Sequence, residues 1–265
     1  MNILDKIVES TRRSVAERKK DISISDLENM STFSRNCYVA NDFFPPKSSR
    51  SGIIAEFKRQ SPSKGIINAT TDVESVTQGY NSYGASMLSV LAEEQYFGGS
   101  IEYVKRARKV NDIPVLRKDF VVDEYQVIEA KAIGADAILL IAACLTNKEM
   151  INLGSLAQSL GLSVLMEVHD EDELEKCLNP HIDLLGVNNR NLKTFDVNIE
   201  TSLYLVDKIP NEFIKVSESG LTDAKTILEL KNNGYDGFLI GESFMKTENP
   251  ALAMGQLVKQ LKQLE

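Results

Sequence analysis

From residue 52 onward, short apolar runs alternate with longer stretches in which apolar residues recur at helical spacing. That alternation is the sequence form of βα units in a parallel sheet. It predicts strands at about 53–58, 86–92, 114–118, 137–142, 163–168, 184–189, 214–218 and 237–241. Four of them follow a glycine that ends the preceding helix, in YGASMLSV, IGADAILL, LGLSVLM and NGYDGFLI. Glycine takes the left-handed conformation that a helix C-terminus often needs, so these are helix stops. Helix starts are predicted at a box-like cap spanning Asp123 to Gln126, at Thr222-Asp223 and at Asn249-Pro250.

Before the repeat, residues 3–20 place Ile3, Leu4, Ile7, Val8 and Val15 near one side of a helical wheel, with TRRS and ERKK opposite. Ser25-Asp26-Leu27-Glu28 matches a capping box and predicts a short second helix. NDFFPPKSSR then interrupts regular structure, because Pro45 and Pro46 restrict themselves and Phe44. Eight strand-helix units after a helical extension fit an α/β (β/α)8 TIM barrel better than an open doubly wound sheet, and no GxGxxG is present. The expectation is a single barrel domain over residues 1–265, with 1–50 as the N-terminal helical extension.

Composition narrows the partners. With 43% hydrophobic and 26% charged residues the chain can bury a large core. A net charge of −8, without a long basic run, argues against nucleic acid. Nowhere do eighteen apolar residues run together, so neither a membrane span nor a signal peptide is expected. Cys37, Cys144 and Cys177 are odd in number and lack CxxC spacing, which fits a cytoplasmic protein without a disulfide framework. A metal site is not expected either, since the only histidines are His169 and His181.

A barrel of this kind carries its site at the C-terminal ends of the strands. The first strand ends with Glu56 and Lys58, the third with Lys118 and then Phe120, the fifth with Glu167, the sixth with Asn188 and Arg190, the seventh with Glu218 and the eighth with Gly241. Lys118 follows Leu116, Glu167 follows Leu165 and Glu218 follows Val216, each by two residues, so each polar group caps a column of inward apolar side chains. One such pair would read as a buried structural ion pair. Two lysines, an arginine and three glutamates from five strands, all at one end, point to a catalytic mouth. Gly220 and Gly241 lie in the loops after the seventh and eighth strands, where backbone N–H groups commonly hold a phosphate.

The motifs EFKRQSPSKG, SVLAEEQYFGGS, LRKDF, the glutamate of LMEVHD, VNNRNL, VSESGL and LIGESFM stand in an order and spacing that resembles indole-3-glycerol phosphate synthase. The resemblance spans nearly the whole chain. It implies ring closure of 1-(2-carboxyphenylamino)-1-deoxyribulose 5-phosphate with loss of CO2 and water, in tryptophan biosynthesis, without a cofactor. By resemblance Lys118 is the acid that protonates the developing alkoxide, and Glu167, Glu56 and Lys58 serve the later proton transfers, in an order that remains open. Asn188 and Glu218 look like positioning groups, Phe120 and Leu139 like the apolar wall for the aryl ring. Arg190, Ser61 and Ser219 are expected at the substrate, and Gly220, Gly241 and Glu242 at its phosphate.

A serine often follows the second of these glycines in relatives, so only the backbone N–H of Glu242 is expected to point inward. The SPSKG loop is a candidate lid, whereas Tyr96-Phe97-Gly98-Gly99 reads as loop packing. Two rivals stay open. One is a Schiff-base aldolase using Lys118 or Lys58; the other is a non-catalytic phosphate-ligand barrel. A monomer is expected, with a small phosphorylated substrate as its partner.

Overall fold

In the computed structural model, which describes residues 3–192 and 194–264, all eight predicted strands form, each within one residue of its expected bounds. They are β1 (Ile53–Phe57), β2 (Met87–Leu91), β3 (Val115–Lys118), β4 (Ala137–Ile141), β5 (Ser163–Val168), β6 (Leu184–Asn188), β7 (Ile214–Glu218) and β8 (Gly237–Ile240). Each pairs in parallel with its sequence neighbours, and β1 also pairs with β8, closing a (β/α)8 TIM barrel. Closure removes the unpaired edges that an open sheet would expose.

Alternation divides the strand residues between two cores. Ile54, Met87, Leu116, Leu139, Leu165, Leu184, Val216 and Leu239 point inward and fill the barrel. Ile53, Leu88, Val115, Ile138, Val164, Leu185 and Phe238 point outward and pack under the helices. The glycines read as helix stops, Gly84, Gly134, Gly161 and Gly234, all have positive φ, between 76° and 102°.

The extension packs onto the barrel. Helix α1 (Ile3–Asp21) buries Ile7, Thr11 and Val15. Near its C-terminal end Arg18 sits 2.9 Å from Glu129 and Lys19 2.7 Å from Asp123, both belonging to or capping the helix Glu124–Ala132. Helix α2 (Ile24–Glu28) has its N-cap two residues before the expected one: Ser23, not Ser25, is the N-cap, and Asp26 closes the box. Asp26 is short enough to reach back to the Ser23 N–H at 3.0 Å, whereas Glu28 falls in the last turn. The Pro-Pro segment is irregular as expected, but Phe44 within it is buried and closes the barrel floor beside Ile54 and Val216. Asp123, Asp223 and Asn249 cap their helices as predicted; Gln126 instead accepts the N–H of Val122. Among the described residues no helix is long and apolar enough to cross a membrane.

Candidate active site

The C-terminal ends of the strands enclose a cavity of about 550 Å³. Its lining contains every residue singled out from the sequence: Glu56, Lys58, Ser61, Lys118, Phe120, Leu139, Glu167, Asn188, Arg190, Glu218, Ser219, Gly220, Gly241 and Glu242. They come together because the inward parity of each strand continues past its apolar part, so the last inward residue emerges at the mouth.

Lys118 is the hub. Its Nζ lies 3.3 Å from Glu167 Oε2 and 3.2 Å from Glu218 Oε2. Burial works against its charge, but the carboxylates of Glu218, Glu167 and Glu56 outweigh this and raise its pKa. Burial also pushes Glu167 up, yet Lys118 and His169 prevail and hold it well below the usual carboxylate range. Glu218 goes the other way, raised to about 7 by burial and by its neighbour Glu167, against the pull of Lys118. Two carboxylates around one ammonium are thus driven apart, the arrangement that lets one stay ionised while its partner holds a proton near neutrality. A second pair, Glu56 and Lys58, stands 2.8 Å apart, with Ser89 donating to Glu56 at 3.2 Å.

Two inward glycines make room for this cluster. A Cβ on Gly186 would lie 2.3 Å from Glu218 Oε1, and one on Gly241 would lie 2.5 Å from Glu56 Oε1. Asn188 donates to Glu167 at 3.1 Å and accepts the Arg190 N–H at 3.0 Å, tying the strand end to the next loop. After β7, Ser219 and Gly220 have φ of 67° and 79°. For a serine this is a strained conformation of the sort found at ligand-binding loops. Asn189 steadies it by donating to the Ser219 carbonyl at 3.1 Å.

Glu242 departs from expectation. Its carboxylate does not turn away: it sits 3.7 Å from Arg190 and 3.9 Å from Lys64, drawn by two positive side chains. The sequence reading also passed over Phe97, whose ring lines the cavity 6.0 Å from that of Phe120. Nothing in the local pattern of a glycine-rich loop marks that aromatic contact. Ile3, Leu4 and Ile7 of α1 line the same cavity, so the extension forms part of the mouth.

His169 stands behind Glu167, with Nε2 3.4 Å from Glu167 Oε1 and Nδ1 3.0 Å from Glu173 Oε2. Burial disfavours its charge, but hydrogen bonding and attraction from the two carboxylates raise its pKa to about 10. A raised histidine pKa stabilises the fold fully below the unfolded value of about 6.5. That contribution is lost as pH rises through about 10. The His169 ring signals, assigned by their loss in His169→Gln, are therefore expected to titrate near pH 10. An NMR midpoint in the ordinary histidine range would contradict this geometry.

Fold and site together place the protein among the (β/α)8-barrel enzymes. The family model for indole-3-glycerol phosphate synthase matches residues 4–257. The chain belongs to the indole-3-glycerol phosphate synthase family. It is 44% identical to the indole-3-glycerol phosphate synthase of Bacteroides thetaiotaomicron, over 97% of this chain and 98% of that protein. It is 47% identical to that of Polaromonas naphthalenivorans, over 77% and 78%. Solved structures share the fold at low identity. 3-Hexulose-6-phosphate synthase from Salmonella typhimurium has a TM-score of 0.64 at 12% identity, covering 81% of this chain and 100% of that one. A tryptophan synthase alpha-subunit from Pyrococcus furiosus has a TM-score of 0.61 at 14% identity, covering 80% and 98%.

Proposed function

We propose that Lys118, held between Glu167 and Glu218, is the proton donor around which this enzyme closes the indole ring. The reaction joins the carboxyl-bearing aryl carbon of 1-(2-carboxyphenylamino)-1-deoxyribulose 5-phosphate to its carbonyl carbon. The carbonyl oxygen becomes an alkoxide and takes a proton; an ammonium aimed at that oxygen from a buried site stabilises the charge as it forms. The bond to the carboxylate then breaks, CO2 leaves, and its electron pair returns to the ring. The hydroxyl departs as water with a second proton, and removal of a ring proton completes indole-3-glycerol phosphate. Lys58, Glu56 and ionised Glu167 are the groups within reach for these later transfers.

Phe120 and Leu139 supply the apolar wall for the aryl ring, and Phe97 extends it. Arg190 and the loops bearing Ser219, Gly220, Gly241 and Glu242 face the phosphate end, with Ser61 in the loop after β1. A carboxylate at 242 opposes an anion, so phosphate there is held by the backbone N–H groups and Arg190 against it. The observation that carries this reading is the lysine shared by two inward carboxylates at the C-terminal mouth. The same reading takes the protein as a cytoplasmic monomer, in keeping with the apolar stripe of α1 being buried at Ile7 and Val15.

Wild-type protein, without added metal or nucleotide, is expected to convert the carboxyphenylamino-deoxyribulose phosphate to indole-3-glycerol phosphate, followed by indole fluorescence. Borohydride added with a phosphosugar is expected to trap no adduct on Lys118 or Lys58. Absence of product from folded protein, or a trapped Schiff base, would overturn the assignment.

A further inference from the structure

The loop that follows β2 closes around a buried carboxylate that the ring chemistry does not use. Glu93 is 7% exposed, and its partners are three backbone N–H groups rather than a cation. Its Oε1 accepts from Gln95 at 3.1 Å; its Oε2 accepts from Tyr96 at 2.7 Å and from Phe97 at 3.0 Å. Burial raises the pKa of this carboxyl, with Asp119 adding to the effect and the N–H bonds opposing it. A charge kept in such a place is costly unless hydrogen bonds satisfy it, and these three also order the loop that supplies them.

What they fix is the Phe97 backbone. The turn is completed by Gly99, whose N–H reaches the Glu93 carbonyl at 2.8 Å and where a Cβ would lie 2.5 Å from the Leu91 carbonyl oxygen. At the end of the adjoining strand β3, Asp119 does the same for the neighbouring ring: its Oδ1 accepts the Phe120 N–H at 2.9 Å. The two aromatic residues that line the cavity together are thus each pinned at the backbone by a buried carboxylate. The loop is also tied to its surroundings. Gln60, in the loop after β1, donates its N–H to the Phe97 carbonyl at 3.3 Å. Ser10 of α1 donates to the Gln95 side chain at 2.5 Å.

We propose that Glu93 is a positioning residue for the aryl end of the substrate, acting through Phe97. This rests on the ring-closure reading, because only a substrate with an aryl ring has use for the Phe97–Phe120 wall. Glutamine cannot replace it: the amide keeps one acceptor oxygen and turns an NH2 toward a backbone N–H.

The test is a double-mutant cycle read by calorimetric titration with two fragments, 2-aminobenzoate for the aryl end and inorganic phosphate for the other. Glu93→Gln is expected to weaken 2-aminobenzoate about tenfold, the scale of lost hydrogen bonds to a buried charge. Phe97→Ala is expected to lose at least as much. Glu93→Gln/Phe97→Ala should be no weaker than Phe97→Ala alone, since both changes remove one effect. Inorganic phosphate affinity should stay within about twofold throughout.

Losses that multiply in the double variant, unchanged 2-aminobenzoate binding in folded Glu93→Gln, or an equal fall in phosphate affinity would each overturn the proposal. Should Glu93→Gln not fold, Glu93→Asp withdraws the carboxylate by one methylene and is expected to give the same pattern; unchanged binding there overturns it too. The fragment readout does not need turnover, so a wild type that binds both fragments and makes no product refutes the ring-closure reading separately.

Discussion

Replacing Lys118 by alanine is expected to lower kcat by roughly 10²–10⁴-fold, the range for removing a general acid. KM should change far less, since Arg190 and the loops after β7 and β8, which we propose hold the phosphate, remain. The reason for a loss at the upper end is geometric. Lys118 Nζ is within 3.3 Å of two buried carboxylates, and Lys58, the other inward ammonium, is held by Glu56 at 2.8 Å. Lys58 is therefore not free to stand in. Without Lys118, Glu167 and Glu218 face each other in a buried site and must take up a proton between them, which also removes an ionised group. Steady-state turnover of folded Lys118→Ala, compared with wild type by indole fluorescence, decides this. A loss below about tenfold would remove Lys118 from the role of acid.

The second large effect concerns stability and lies one residue away. Arg117 points outward from β3 and is fully buried. Its Nη2 is 2.7 Å from Asp119 Oδ2 and 2.7 Å from Glu129 Oε2, and its Nη1 donates to the Gln126 carbonyl at 3.1 Å. The guanidinium joins β3 to the helix Glu124–Ala132, which in turn receives Arg18 of α1. Arg117→Leu would leave buried Asp119 without its cation and buried Glu129 with Arg18 alone. Breaking a buried pair from one side typically costs about 3–5 kcal/mol. The midpoint of urea denaturation is expected to fall accordingly, with α1 released first because it docks on that helix. A shift of less than about 1 kcal/mol would mean the network contributes little.

Much of this was legible in the chain itself, for physical reasons that differ by element. The strands were readable because buried parallel strands are short apolar runs, and because glycines such as Gly134 and Gly234 mark where four of the helices must stop. The site was readable because Lys118, Glu167 and Glu218 interrupt those runs at inward positions, where a charge conflicts with burial. What escaped notice depends on contacts between distant segments. Phe97 sits in a glycine-rich loop and becomes part of the mouth only when Phe120 meets it. Ile3 and Leu4 read as an ordinary amphipathic stripe until α1 lies across the barrel. The cap of α2 lies at Ser23 instead of Ser25 because two serines compete for one helix start and Asp26, three residues on from Ser23, closes the box by accepting its backbone N–H. Arg117 was hidden by its neighbour: in LRKDF, two adjacent cations face opposite sides of the same strand, and only one belongs to the cavity.

The side-chain space missing at Gly186 and Gly241 has a genetic consequence. Alanine is a single base change from any glycine codon and is usually among the mildest of replacements. At these two positions the added methyl would fall within 2.5 Å of a carboxylate oxygen, so the glutamate must leave its place beside Lys118 or Lys58. In a saturation library selected for tryptophan-independent growth, these glycines should tolerate as few alleles as the glutamates whose space they provide, though neither carries a reactive group of its own.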